Sequence, residues 1–197
     1  MVQRTARLDR RAVPVSRMMR PFAWVVLVVT GIAAQGPLAQ SSWHPGLLGA
    51  YLIVLLIGFV AVFVHEVAHA MAVNAVGGRV SRIVVFPLEL TPASRKLRFV
   101  RRWGRGDLGG YVAYTLDRIE ARRRHAIIAA AGPLANIVTG IVIGGRLAAS
   151  NSGDLPAGAA VATAFVILSV GMGVANLIPF DGSDGMRLLR YFRPVRR

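Results

Sequence analysis

No cysteine occurs among the 197 residues, which excludes a disulfide framework and a thiolate metal site. A tightly held metal would therefore have to sit on histidine, aspartate or glutamate. Acidic residues are also scarce, nine Asp and Glu against 24 Lys and Arg, for a formal net charge of +15. Such an excess suggests nucleic acid, but no segment is both basic and large enough to fold alone with aromatic stacking residues, so nucleic acid is not an expected partner. The placement of the cations says more than their number. Residues 1–20 hold six Arg, residues 78–125 hold twelve Arg or Lys, and residues 186–197 hold five, with Arg146 alone elsewhere. The stretches between them are long and apolar, and with 54% hydrophobic residues the chain is too apolar for an ordinary soluble domain. These features describe a small multi-pass protein of the cell membrane. Arginine-rich segments stay on the cytoplasmic side, beside the anionic inner leaflet, so both termini are expected there.

The expected fold is all-α and polytopic: about four transmembrane helices, with a small β-hairpin or sheet on the cytoplasmic side between spans two and three. A basic segment, 1–20, precedes the membrane domain, 21–185, and a basic tail, 186–197, follows it. The spans are expected near 21–38, 46–76, 126–149 and 156–178. A secretory signal peptide is the competing reading of the first apolar stretch, but the later spans require the orientation that a retained span provides. Between Gly78 and Tyr114 the helical pattern stops. Residues 80–90 read as strand material ending near Pro87, and 96–100 and 109–114 as two further strands, within a β region of about 79–114. The free edge of such a sheet suits pairing with an extended peptide, and equally the sheet suits capping the bundle.

Chemistry concentrates in the second span, at His65-Glu66-Val67-Ala68-His69. Ionisable side chains at membrane depth are costly unless paired or ligated, and three within five residues ask for a specific partner. On a helix, residues four apart project from one face, so His65 and His69 can grip one ion through neutral imidazole nitrogens. In the H-E-x-x-H arrangement the glutamate, here Glu66, serves as general base toward a water that the metal activates. Asn136 in the third span lies near the depth of His65, where it forms either an interhelical hydrogen bond or a donor to a substrate carbonyl. The fourth span ends in Asn176-Leu177-Ile178-Pro179-Phe180-Asp181-Gly182-Ser183-Asp184-Gly185. A catalytic zinc commonly takes three protein ligands, and either Asp181 or Asp184 can complete a His-His-carboxylate set. The other class of function these residues permit is a metal-ion carrier or an inactive metal-binding membrane protein. Such a protein needs the ligands but has no use for Glu66.

Together these residues resemble the site-two protease family, the intramembrane zinc metalloproteases. The resemblance rests on His65–His69, on Gly132–Asn136, and on Asn176-Pro179-Asp184-Gly185, which follow in the family's order over about residues 46–190. It implies one Zn²⁺ per chain, held by His65, His69 and Asp184, with Glu66 as catalytic base. It implies transmembrane proteins as substrates. Asn136 and Asn176 would position substrate or backbone near the metal, and Gly109, Gly110, Tyr111 and Val112 resemble the family's membrane-associated β element, which holds substrate extended. Ser183 departs from the pattern, standing where an apolar residue is usual.

Overall fold

The computed structural model describes residues 13–100, 109–117, 121–149 and 155–192, with side chains from residue 19 onward. Most of the expected N-terminal segment, the end of the basic tail, residues 118–120 and the expected outer loop around 151–155, save Leu155, lie outside them. Among the described residues, six α-helices and four strands follow in order: α1 (Val13–Ala33), α2 (Gln35–Ala39), α3 (Gly46–Ala75), β1 (Arg79–Val85), β2 (Leu88–Thr91), β3 (Lys96–Phe99), β4 (Gly110–Thr115), α4 (Ala121–Ala149), α5 (Ala157–Leu177) and α6 (Asp184–Phe192). Among the described residues, four stretches are long and apolar enough to cross a membrane: Met19–Ala39, Gly46–Ala75, Ala121–Ala149 and Ala157–Leu177. The fold is therefore the expected one, a mostly helical membrane protein with a small sheet between its second and third spans.

The helices bury small residues and expose large ones. Ala50, Ala61, Ala126, Ala129, Ala160, Ala164 and Ala175 are buried, whereas Leu47, Leu48, Leu56, Val138 and Ile141 face outward. Water would oppose such a surface, and a bilayer favours it, because lipid tails solvate leucine while small residues let helix backbones approach. α4 packs against both α3 and α5 at the centre. The closeness is specific: a Cβ placed on Gly173 of α5 would lie 2.8 Å from the Pro133 carbonyl oxygen of α4. At the far end from the sheet, Leu38, Ala50, Ile57, Ala160 and Ala164 form a further apolar cluster.

The sheet is antiparallel throughout, in the order β3-β2-β1-β4. One expected strand, 80–90, is two. Val85 pairs with Leu88, so the chain reverses through Phe86-Pro87, where proline has no N–H to give to a ladder. β1 and β4 lie against α3. Among the described residues β4 is a terminal strand of the sheet, and Phe86 N–H donates to the Gly109 carbonyl at 2.9 Å. In an antiparallel pair, backbone groups alternate in direction from residue to residue. Tyr111 therefore bonds toward β1, while Gly110 and Val112 direct their N–H and C=O groups to the open side.

Helix α6 begins at Asp184 and runs across the expected boundary between membrane domain and tail. Its start is built by Ser183, which is buried. The Ser183 hydroxyl accepts from the N–H of Met186 at 3.2 Å and of Phe180 at 3.1 Å, with the Ile178 carbonyl 2.7 Å away as acceptor. Serine is a favoured N-cap because its oxygen satisfies such donors. The residue that departs from the family pattern is thus the one that fixes where Asp184 enters its helix.

Candidate metal centre

His65 and His69 lie ten and six residues before Ala75, the last residue of α3, so they sit about 15 and 9 Å below that end. Both are buried, as is Glu66 between them. Their rings meet edge to face, with centroids 4.6 Å apart. The Nε2 atoms are 3.0 Å apart, and Asp184 Oδ2 approaches that of His65 at 3.0 Å and that of His69 at 3.2 Å. These three residues form a group able to hold a metal ion. Asp181 is elsewhere: its carboxylate is largely exposed, 3.9 Å from Arg190.

The surroundings orient the ligand atoms. His69 Nδ1 lies 2.6 Å from the Ile128 carbonyl oxygen, which can only accept, so Nδ1 carries a proton and donates. The Asn136 side-chain amide lies 3.3 Å from His65 Nδ1, and its oxygen is buried without a hydrogen-bond partner. Turning that amide by half a revolution would give the oxygen a proton on His65 Nδ1, leaving Nε2 as the ligand atom there too. The Asn136 backbone carbonyl accepts from the Ser169 hydroxyl of α5 at 3.0 Å, which holds this part of α4 in place. Asp184 is fixed on its other side, where Oδ1 accepts from Arg187 at 3.3 Å.

The donor set fits a cation. Two nitrogens and a carboxylate oxygen converge on one point, and their mutual approach calls for positive charge between them. Space has been kept for it by glycine. A Cβ on Gly132 of α4 would lie 2.6 Å from His65 Nε2 and closer still to His69 Nε2. Gly132 appears in the sequence as part of a family motif; what it faces is visible only in the fold. Gly185 likewise packs its α-carbon against the Leu177 backbone, with no room for a side chain.

A cavity of about 50 Å³ opens beside the cluster, enough for a few waters. His65, Glu66, His69, Asp184 and Asn176 line it, together with Gly110, Tyr111 and Val112 of β4. The strand comes very near Glu66, since a Cβ on Gly110 would lie 2.8 Å from Glu66 Oε1. Asn176 donates its amide to the Met172 carbonyl at 3.2 Å, within its own helix. Gly109, at φ +103, makes the turn into β4. Tyr114 and Arg187 also line the cavity and were not singled out by sequence reasoning. Burial pushes the Tyr114 hydroxyl pKa up, and that hydroxyl bonds His125 Nδ1 at 2.8 Å.

The sequence profile of Peptidase family M50 matches residues 51–153, just over half of the chain. The chain belongs to peptidase family M50. This is the site-two protease family that the motifs resemble, and the match spans α3, the sheet and α4. M50 membership makes the protein a membrane-embedded metalloprotease, with a metal cofactor and membrane proteins as its substrates. No curated protein and no solved structure matches the chain.

Proposed function

We propose that the protein is an intramembrane zinc endopeptidase that cuts a peptide bond of membrane-spanning substrates, as in regulated intramembrane proteolysis. The observation that carries this reading is the convergence of His65, His69 and Asp184 beside Glu66, under an edge strand that ends at the same cavity. Zinc suits the donors. Tetrahedral ligand atoms about 2.0–2.2 Å from one zinc are about 3.3–3.6 Å apart, and the separations here, 3.0 to 3.2 Å, are that triangle slightly contracted. His65, His69 and Asp184 would hold one ion per chain, and Asn136 and the Ile128 carbonyl would keep both imidazoles turned toward it. When bound, zinc supplies Lewis acidity and makes a water more acidic.

The chain's own residues would do the rest. Glu66 takes a proton from the attacking water and returns it to the leaving amine. A substrate helix hides its carbonyls, so it must unwind before it can be cut. Gly110 and Val112 offer unwound substrate the outward N–H and C=O groups of β4, and a strand added there passes directly by Glu66. Asn176 borders this path and helps position the substrate. The arginine distribution supports an orientation with both termini and the sheet on the cytoplasmic side of the cell membrane, beside its anionic leaflet.

The test is Glu66→Gln, compared with wild type in vesicles that contain a single-span membrane substrate. The variant should keep its zinc and lose cleavage by about 10²–10⁴-fold. Cleavage at the wild-type rate would refute the role given to Glu66, and ion transport that survives the substitution would favour a metal carrier.

A further inference from the structure

Where α4 begins and α6 ends, Tyr114, Arg122, His125, Arg187, Arg190 and Tyr191 line an open cleft of about 410 Å³. It shares Tyr114 and Arg187 with the cavity beside the metal centre, but the proteolytic reading makes no use of the cleft itself. α4 opens Ala121-Arg122-Arg123-Arg124-His125, with no acidic residue in its first turn. A helix N-terminus already carries about half a positive charge and favours acids, so this sequence gathers cations where the helix field opposes them. Among the described residues, Asp184 and Asp181 compensate in part. Arg187 donates to Asp184 at 3.3 Å, while Arg190 stands 3.9 Å from Asp181. Each of these guanidinium groups has five N–H donors, and the two side chains are about half exposed, at 51% and 54%. Arg122 holds the wall together: it donates to the carbonyls of Arg190 and Tyr191, closing the C-terminal end of α6, and lies over the Tyr191 ring.

The cleft lies at the depth of a membrane surface. The apolar part of α4 starts at Ala126, immediately after His125, and Ile127 and Phe192 expose apolar side chains on the two helices that form the walls. Tyrosines are at home at that level, with an apolar ring and a wet hydroxyl. Basic pockets between membrane helices receive phosphate headgroups, and the planar guanidinium matches phosphate oxygens in pairs. We propose that this cleft binds the phosphate of an anionic phospholipid headgroup. A choline headgroup would bring its own cation toward the arginines, so zwitterionic lipid is disfavoured by charge. The proposal is independent of the proteolytic reading.

The experiment is native mass spectrometry of the full chain in neutral detergent, with phosphatidylglycerol or phosphatidylcholine added. Wild type should retain phosphatidylglycerol in clear preference. Arg190→Gln should retain about fivefold less, the share of one surface cation. Arg190→Lys, which keeps the charge, should recover part of the loss, and Arg146→Gln, at the opposite end of α4, should leave retention unchanged. Equal retention of the two lipids by wild type would overturn the proposal, as would an equal loss in Arg146→Gln. A further arm adds millimolar inorganic phosphate. Displacement of the lipid by phosphate, with the same dependence on Arg190, would identify the ligand as a soluble anion and overturn the assignment to lipid.

Discussion

Gly132→Ala adds one methyl group at the point where the metal centre has least room. The new carbon would lie 2.6 Å from His65 Nε2, 2.7 Å from His69 Cε1 and nearer still to His69 Nε2, where ordinary contacts are about a full ångström longer. Neither ring can step aside freely. His69 is tied to the Ile128 carbonyl, His65 abuts the Asn136 amide, and α4 is held against α5 by the bond from Ser169. Overpacking of this kind costs about 1–3 kcal/mol, and ligands must stay within about 0.5 Å of productive geometry to keep their affinity. Metal affinity should fall by about 10–100-fold or more, the range seen when ligand orientation is disturbed. Gly145→Ala, on the same helix but with open space around it, should keep its metal and gain up to about 1 kcal/mol in helix propensity. The assay is metal content of the purified proteins after dialysis against a graded chelator. Wild-type retention by Gly132→Ala would refute the claim that this glycine makes room for the ion.

Other expectations follow from the same geometry. Asp184→Asn should lose most of the bound metal while Asp181→Asn keeps it, and elemental analysis in the opposite order would mean that the exposed aspartate is the ligand. Reporter fusions at Ser42 should read outside and at Arg95 inside; an outside reading at Arg95 would invert the topology. Val112→Pro removes an N–H that points away from β1, so the sheet and the metal should survive. Cleavage of membrane substrates should drop by about 2–10-fold, the worth of one hydrogen bond, with Val112→Ala doing less. Undiminished cleavage by the proline variant would argue against strand addition at β4.

The spans, the sheet's location and the H-E-x-x-H pair were legible because each rests on a local pattern. Twenty or more apolar residues announce a membrane helix, and two histidines four apart announce a shared face. The choice between Asp181 and Asp184 was not local. Both follow the fourth span in a turn-like stretch, and what separates them is Ser183, whose hydroxyl caps α6 and so directs Asp184 inward. The cap is a recognisable signal, serine followed by an amphipathic stretch, but the many arginines after it read more simply as a basic tail. The division of residues 80–90 into two strands was also missed, although Pro87 marks the reversal. The contacts of Gly132, Ser169 and Ile128 with the site could not be read at all. They depend on the rotation of α4 against α3 and α5, which motif spacing does not fix.

The metal centre and the packing of the bundle are one problem. Burying two imidazoles and a carboxylate among apolar helices is unfavourable unless a cation joins them and their remaining polar atoms find partners. Here the partners come from elsewhere in the chain: a carbonyl and an amide of α4, a guanidinium of α6, and through Asn136 a hydroxyl of α5. Such contacts require the helix backbones to come close, and small residues at the interfaces are what permit it. Pro133 falls within the same turn of α4 as Gly132, and its backbone oxygen faces Gly173, where α5 comes close. Exchanging glycine for alanine at these crossings would separate helices that each carry part of the ligand shell. Gly132, Gly173 and Gly185 are therefore a requirement of the chemistry as much as of the membrane.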